Sequence, residues 1–159
     1  MSWGMKLTGS IDYKFLENSL TEVQMNLIGE AAVSIIQEET EERSIDQYGR
    51  PFKPYSKAYA EYRDEELGRG KGRKVDLSFT RQMLKALGVI ENRTTDRQVT
   101  IGFPTDAAPA RGGLRPSQKM RRTNKTRPWF GFGPRGSARR RRIEQMASEI
   151  FIEALTRRF

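Results

Sequence analysis

The sequence predicts an α+β fold: a small, mainly antiparallel sheet packed by long N-terminal and C-terminal helices, with a long basic loop. Two observations predict it. Apolar residues recur every three or four positions through residues 13–43 and again through residues 138–159, which is the spacing of amphipathic helices. Between them, short β-prone runs alternate with turn residues. The length of 159 residues fits one domain, which we place over residues 1–159.

Local signals place the other elements. Residues 5–11 alternate weakly and predict a short strand, and the first long helix has a candidate break at residues 19–21. Ser56 and Ser137 are candidate N-caps for a short helix and for the C-terminal helix. Further along come a short leucine-rich helix and a hairpin, predicted over residues 80–87 and over the runs 89–91 and 98–103. The glycine-rich basic stretch 68–74 predicts a mobile loop.

An aromatic run precedes the C-terminal helix and predicts a short strand that ends in a glycine turn. The run contains Trp129, Phe130 and Phe132, and the residue before Pro128 is restricted to extended geometry. We expect Trp129 and Phe132 to be buried beneath both long helices, together with Ile150 and Leu27. The alternative is an exposed aromatic hook that grips a neighbouring molecule.

The composition argues against most enzyme chemistry. The sequence contains no cysteine and no histidine, which excludes thiolate chemistry, the usual zinc sites and histidine-based triads. Residues 131–136 fit the dinucleotide pattern G-x-G-x-x-G, but that reading needs a second parallel strand after the helix, and we expect none. Carboxylates alone could form a metal or acid–base site, but the sequence shows no convincing cluster of them. We therefore predict no catalytic residue, no metal site and no cofactor. No run approaches 18 apolar residues, so we expect no membrane span.

Charge is unevenly distributed along the chain. The net charge is +9, but residues 1–67 carry −6 and residues 68–159 carry +15. Between Asp106 and Glu144 lie twelve basic residues and no acidic one, which indicates an anionic partner or neighbouring copies packed acidic side to basic side. We predict that residues 104–126 form a mobile arm that becomes ordered on DNA or on an acidic protein surface. Its candidate binding residues are Arg111, Arg115, Lys119, Arg121, Arg122 and Lys125.

Both long helices carry charges of the wrong sign for their own dipoles. The acidic end of the first is followed 100 residues later by the basic start of the last, and each misplaced charge costs about 0.3–1 kcal/mol. We expect the two clusters to meet across a head-to-tail interface between subunits. Pairing within one subunit and arginine contact with DNA phosphates are the alternatives. The candidate residues are Glu38, Glu39, Glu42, Arg139, Arg140, Arg141 and Arg142.

Four motifs in this order resemble the virion-morphogenesis, or tail-completion (neck), family of tailed phages. They are G-R-P-F-K-P-Y-S at residues 49–56, the leucine-rich segment at residues 77–87, V-T-I-G at residues 99–102, and R-P-W-F-G at residues 127–131. The resemblance covers roughly residues 20–159. The chain departs from the family pattern at Arg81, where a glycine is usual, and in the segment before the aromatic run.

The resemblance implies a non-enzymatic virion protein that forms a homo-oligomeric ring at the head–tail junction. Its expected partners are the head connector or adaptor and portal on one side, and the tail terminator or tail tube protein on the other. DNA would pass through the lumen, where non-specific contact is expected. The competing hypothesis is a basic nucleic-acid-binding protein that acts outside a virion, since a pI near 10 and an arginine-rich arm also suit RNA or DNA.

Overall fold

The computed structural model describes residues 5–6, 20–77, 82–96, 98–106 and 113–157, and these contain five helices and a small antiparallel sheet. The strands are β1 (Met5–Lys6), β2 (Gly88–Val89) and β3 (Thr100–Gly102). The helices are α1 (Glu22–Glu41), α2 (Lys57–Leu67), α3 (Gln82–Lys85), α4 (Pro116–Thr126) and α5 (Ala138–Thr156). The predicted α+β fold with long terminal helices is therefore confirmed.

The sheet has β3 at its centre, in the order β1-β3-β2. Ile101 of β3 faces Met5 on one side and Val89 on the other, and both pairings are antiparallel. A 3₁₀ turn at Glu91–Arg93 lies between β2 and β3. The predicted hairpin is therefore present, with strands shorter than the predicted runs. The predicted first strand is observed at Met5–Lys6, and its remainder lies outside the described residues.

Helix α1 begins at a capping box, and part of its predicted buried face is exposed. Thr21 and Gln24 exchange side-chain and backbone hydrogen bonds of 3.3 and 2.8 Å, so the helix begins at Glu22. Leu27 is 47% exposed, which makes its predicted burial wrong. The sheet packs instead on the stripe that contains Gly29, where a Cβ atom would lie 2.5 Å from Val99 Cγ2. Two apolar stripes adjoin on α1, and only the one with this glycine allows so close an approach.

Helices α1 and α5 pack antiparallel against each other and against the sheet. A small apolar cluster joins Met25 and Ile28 near the start of α1 to Ala147 and Ile150 of the second half of α5. The larger core contains the end of α1, α3, β3, Met120 of α4 and the aromatic run. Its buried members include Ile36, Phe52, Leu84, Ile101, Phe103, Trp129, Phe130, Phe132 and Ile143.

The aromatic run lies in this core, but it is not the predicted strand. Trp129 is fully buried and Phe132 is 8% exposed, so the expected burial is confirmed and the exposed hook is excluded. No strand is found between residues 127 and 133, all of which the structure describes. The Trp129 N–H donates to the Arg127 carbonyl, and Phe130 N–H donates to Asn124 Oδ1 at 2.9 Å. The backbone N–H groups of Trp129 and Phe130 are therefore bonded to local and side-chain acceptors, and do not pair with a neighbouring strand.

The predicted structureless arm is also wrong over its second half, which forms α4. Pro116 begins the helix, and Gln118 Oε1 accepts from the Arg115 N–H at 2.9 Å, which closes the first turn. Met120 is buried in the core, so the segment does have an apolar anchor. Residues 107–112 of the predicted arm lie outside the described part of the chain. Whether the segment orders only on binding stays a prediction.

The basic stretch 68–74 forms a series of turns against α2. Gly72 N–H donates to Asp64 Oδ1 at 2.6 Å, and Arg63 Nε donates to the Lys71 carbonyl at 3.3 Å. A Cβ atom on Gly72 would lie 2.1 Å from the Ala60 carbonyl oxygen, so the glycine is required for this approach. These contacts fix an average position for the loop, and its predicted mobility stays a prediction.

Candidate assembly surfaces

Arg139 is the centre of a buried polar network that ties α5 to α1 and to the aromatic run. Ser137 caps α5 by accepting from the Arg140 N–H at 3.2 Å, which sets the position of the first turn. The Arg139 side chain is fully buried, and its Nε donates to Glu39 Oε2 at 2.6 Å. Its Nη1 donates to the carbonyls of Trp129 and Gly131. Burial lowers the pKa of Arg139, while the hydrogen bond to Glu39 opposes that shift.

Arg142 completes the network one turn further along α5. Its Nη2 donates to Glu38 Oε2 at 2.8 Å and its Nη1 donates to Glu39 Oε1 at 2.9 Å. The hydrogen bond from Arg142 lowers the pKa of Glu38, and the same bond raises the pKa of Arg142. Two arginines of α5 therefore hold two glutamates of α1 in one charge-assisted seam.

The structure places these charges in a contact within one chain, which corrects the predicted subunit interface. Glu38, Glu39, Arg139 and Arg142 pair with one another inside a single chain, which is the arrangement that the sequence had left as an alternative. The physical reason is the antiparallel packing of α1 on α5, which brings the end of one helix beside the start of the other.

The three remaining candidates lie around the seam. Arg140 donates to Glu144 at 3.0 Å along its own helix, while Glu42 and Arg141 are exposed. Their use in an interface stays a prediction.

The basic arm residues form the outer face of α4. Arg121, Arg122 and Lys125 are exposed on this helix, and Arg115 is exposed at its cap. Lys119 lies closer to the body and donates to Gln82 Oε1 at 2.7 Å. Arg111 lies outside the described residues. The structure therefore displays most of these cations on a fixed helix instead of a loop.

Contacts on the opposite side of α4 attach the helix to the core, with its basic face towards solvent. Thr123 Oγ1 accepts from Trp129 Nε1 at 3.0 Å, which joins the helix to the most deeply buried ring. At the C-terminal end, Arg127 donates to the carbonyls of Lys53 and Pro54, each at 3.0 Å. The aromatic run therefore positions the basic helix, and the two predicted features belong to one unit.

The described ranges do not contain the clustered acidic side chains of a metal site. No group of three or more acidic residues there could hold a metal ion, and none of the described helices is long and apolar enough to cross a membrane. Gly133, the middle glycine of the dinucleotide-like pattern, has a packing role, because a Cβ atom there would lie 2.4 Å from the Gln47 carbonyl oxygen. A groove of about 800 Å³ between α1 and β2 is open and mixed in character, with Glu30, Val33, Gln37 and Glu91 among its lining residues.

Sequence reasoning missed the surface of α2. Arg63 is the one residue of this helix that is buried, whereas Tyr59 and Tyr62 are 39% and 46% exposed. Glu65 and Glu66 are exposed beside them. The available signal was an apolar pair at spacing i, i+3 within an acidic helix that has no continuous apolar stripe.

Comparison of the chain with protein-family models, with curated proteins and with solved structures finds no match in any of the three. The resemblance to tail-completion proteins therefore rests on the four short motifs, and the function that follows from it is a proposal.

Proposed function

We propose that this chain is a structural subunit of the head–tail junction of a tailed phage, a neck or tail-completion protein without enzymatic activity. It forms a homo-oligomeric ring that joins the head connector or adaptor to the tail terminator or tail tube. The ring lines the passage for DNA. The protein is assembled in the host cytoplasm and resides in the virion.

The observation that supports this proposal is the convergence of the four motif segments. Phe52, Leu84, Ile101 and Trp129 come from the four segments in turn, and all four lie in one core cluster. Motifs that meet in a core act together as the signature of a fold, and a resemblance spread over separate parts of the chain gains weight when those parts touch.

Hydrogen bonds also join the motif segments directly. The Leu77 N–H donates to the Tyr55 hydroxyl at 3.2 Å, and Arg127 donates to two carbonyls of the first motif. The Gln47 N–H, just before that motif, donates to the Pro128 carbonyl at 2.9 Å. The motif segments shared with the family pattern therefore have structural roles here, as the signature of a fold should.

The second candidate function is nucleic-acid binding outside a virion, and the cationic face of α4 favours it. Arg122 and Lys125 lie one turn apart on an exposed surface that could follow a phosphate backbone. The acidic face of α2 argues against a protein whose whole surface serves phosphate.

Two measurements test the proposal. The purified protein, alone and with its cognate head connector, is imaged by negative-stain electron microscopy, and we expect rings with a central channel. Loss of the gene from the producing phage should leave filled heads and unattached tails. Normal virions without the protein would refute the proposal, and tight salt-sensitive binding to RNA by a strictly monomeric protein would favour the second candidate.

A further inference from the structure

Most residues of helix α2 are exposed. It is held mainly by Arg63, which donates to Asp76 at 2.8 Å and lies 4.9 Å from the centre of the Tyr55 ring. On the outer side, Tyr59 and Tyr62 share one face with Glu65 and Glu66. Large exposed rings on a helix with so little packing indicate a docking surface rather than a solvent face.

The tyrosines of this face continue a ladder that already stacks on arginine. Tyr55 packs against Tyr59 with ring centres 4.9 Å apart, and Tyr59 lies 6.3 Å from Tyr62. At the inner end of the ladder, the guanidinium groups of Arg63 and Arg127 each lie 4.9 Å from the Tyr55 ring. The outer end offers the same ring chemistry beside two carboxylates, which suits a cationic side chain from another molecule.

The α4 helix of the same chain presents the complementary chemistry. Its outer face carries Arg121, Arg122 and Lys125, and the described residues 113–127 contain no acidic side chain. Helices α2 and α4 are both 11 residues long, or about 16 Å each, so their charged faces match in length.

We propose that α2 of one copy of this chain docks on α4 of a second copy. Arginine and lysine of α4 pair with Glu65 and Glu66 and stack on the exposed tyrosines of α2. The two surfaces are different patches on one molecule, so the contact is head-to-tail, the kind that closes into rings. The inference rests on the proposed ring and replaces the α1–α5 seam as its interface, since that seam is used within the chain.

A second copy explains both surfaces at once, and nucleic acid explains only one. Phosphate would bind α4 but would be repelled by the acidic α2 face, and it would leave the tyrosines of α2 exposed. A contact between two helices of this length is smaller than the roughly 800 Å² per partner of a stable interface. Pairing of free subunits should therefore be weak and salt-sensitive, and ring closure should strengthen it.

The absence of native cysteine gives a direct test. Glu66→Cys and Arg122→Cys are made separately in the full-length protein, mixed, and treated with a short bis-maleimide. We expect a cross-linked pair in the mixture and little in either variant alone, because the contact joins unlike faces. Glu149→Cys, at an exposed position of α5, replaces Glu66→Cys in the control mixture, where we expect at least tenfold less product.

Charge reversal provides the second arm. Glu65→Lys with Glu66→Lys, or Arg122→Glu with Lys125→Glu, should weaken self-association at least about tenfold, because each places like charges across the contact. Combining the two reversed proteins should restore pairing. Reversal of the exposed Glu30 and Glu149, or of Arg135 and Arg157, gives the same changes in net charge elsewhere and should leave association intact.

The outcomes separate the inference from the proposed function. Wild-type rings without the specific cross-link would overturn the α2–α4 contact and leave the ring proposal standing. A wild-type protein that stays monomeric with and without its connector would overturn both. If reversal at Arg122 and Lys125 abolishes binding to a short DNA duplex while no cross-link forms, α4 serves nucleic acid instead.

Discussion

Replacement of Arg139 with methionine tests whether the buried network holds the fold together. The side chain is fully buried, and it donates to Glu39 and to the carbonyls of Trp129 and Gly131. Methionine has a similar reach and no charge, so the substitution removes all three hydrogen bonds with little loss of volume. The Glu39 carboxylate, whose side chain is 2% exposed, stays behind without its closest cation.

The expected loss of unfolding free energy is about 3–5 kcal/mol, because removal of one partner strands a buried charge. Arg142 still donates to Glu39 at 2.9 Å, which reduces that penalty. The two carbonyls that lose their donor add to it, at about 1–3 kcal/mol for each buried group left unsatisfied. Because a domain has only about 5–15 kcal/mol of stability, this single change should bring the protein close to unfolding.

Urea unfolding followed by circular dichroism and by tryptophan fluorescence measures the effect. The double variant Glu39→Met with Arg139→Met removes the stranded charge, and it should be about 1–3 kcal/mol more stable than Arg139→Met alone. A loss below about 1 kcal/mol for Arg139→Met would show that the network does not stabilise the fold. A double variant that loses the sum of the two single effects would show that the two charges are not coupled.

Three further predictions concern other parts of the fold. Trp129→Ala should cost about 3–5 kcal/mol in urea unfolding, because a fully buried ring and its bond to Thr123 are lost, and unchanged stability would contradict its place in the core. Gly29→Ala should be destabilising, since its Cβ atom would lie 2.5 Å from Val99 Cγ2 and overpacking costs about 1–3 kcal/mol. This cost should outweigh the preference of a helix for alanine over glycine, which is about 1 kcal/mol, and a rise in melting temperature would refute this. The pKa of Glu38 is lower in the folded state, so its contribution to stability is complete above about pH 4.3 and is lost as pH falls through the folded pKa. Glu38→Gln should flatten that part of the stability–pH curve, and an unchanged slope would exclude the contribution.

Local signals in the sequence predicted element boundaries well where a cap decides them. Ser56 and Ser137 are the N-caps of α2 and α5, as predicted. The side-chain oxygen of each accepts from the backbone N–H three residues later, which has no partner within the helix. The failure at α4 has the opposite cause. That helix has a local start signal in Pro116 and Gln118, but its only buried apolar side chain after the first residue is Met120. Contacts from outside the helix also hold it: Asp106 accepts from the Ser117 N–H at 2.9 Å, and Gln82 accepts from Lys119. Composition alone therefore suggested an unstructured arm.

The candidate assembly residues also show which features a sequence can predict and which depend on packing. The wrong-sign charges at the helix ends were visible in the sequence, and so was the expectation that the two clusters meet. Which molecule supplies each partner depends on how α1 packs on α5, and periodicity was ambiguous on this point because Leu27 and Ile28 belong to adjoining apolar stripes. The sheet packs on the stripe that contains Gly29, because a residue without a Cβ atom is needed for the close approach of Val99. That fit depends on the position of the sheet as well as on the sequence of the helix.

The antiparallel packing of α1 and α5 also explains why both helices tolerate charges that oppose their own dipoles. Glu38 and Glu39 lie at the negative end of α1, but they are held against the positive end of α5 by Arg139 and Arg142. The arginines likewise lie at the positive end of their own helix and beside the negative end of the other. Each charge is therefore unfavourable for its own helix and favourable for its neighbour, so the seam stabilises only the packed pair. Because these charges already pair within one chain, we expect any contact between subunits to use other surfaces, and the exposed faces of α2 and α4 are our proposed ones.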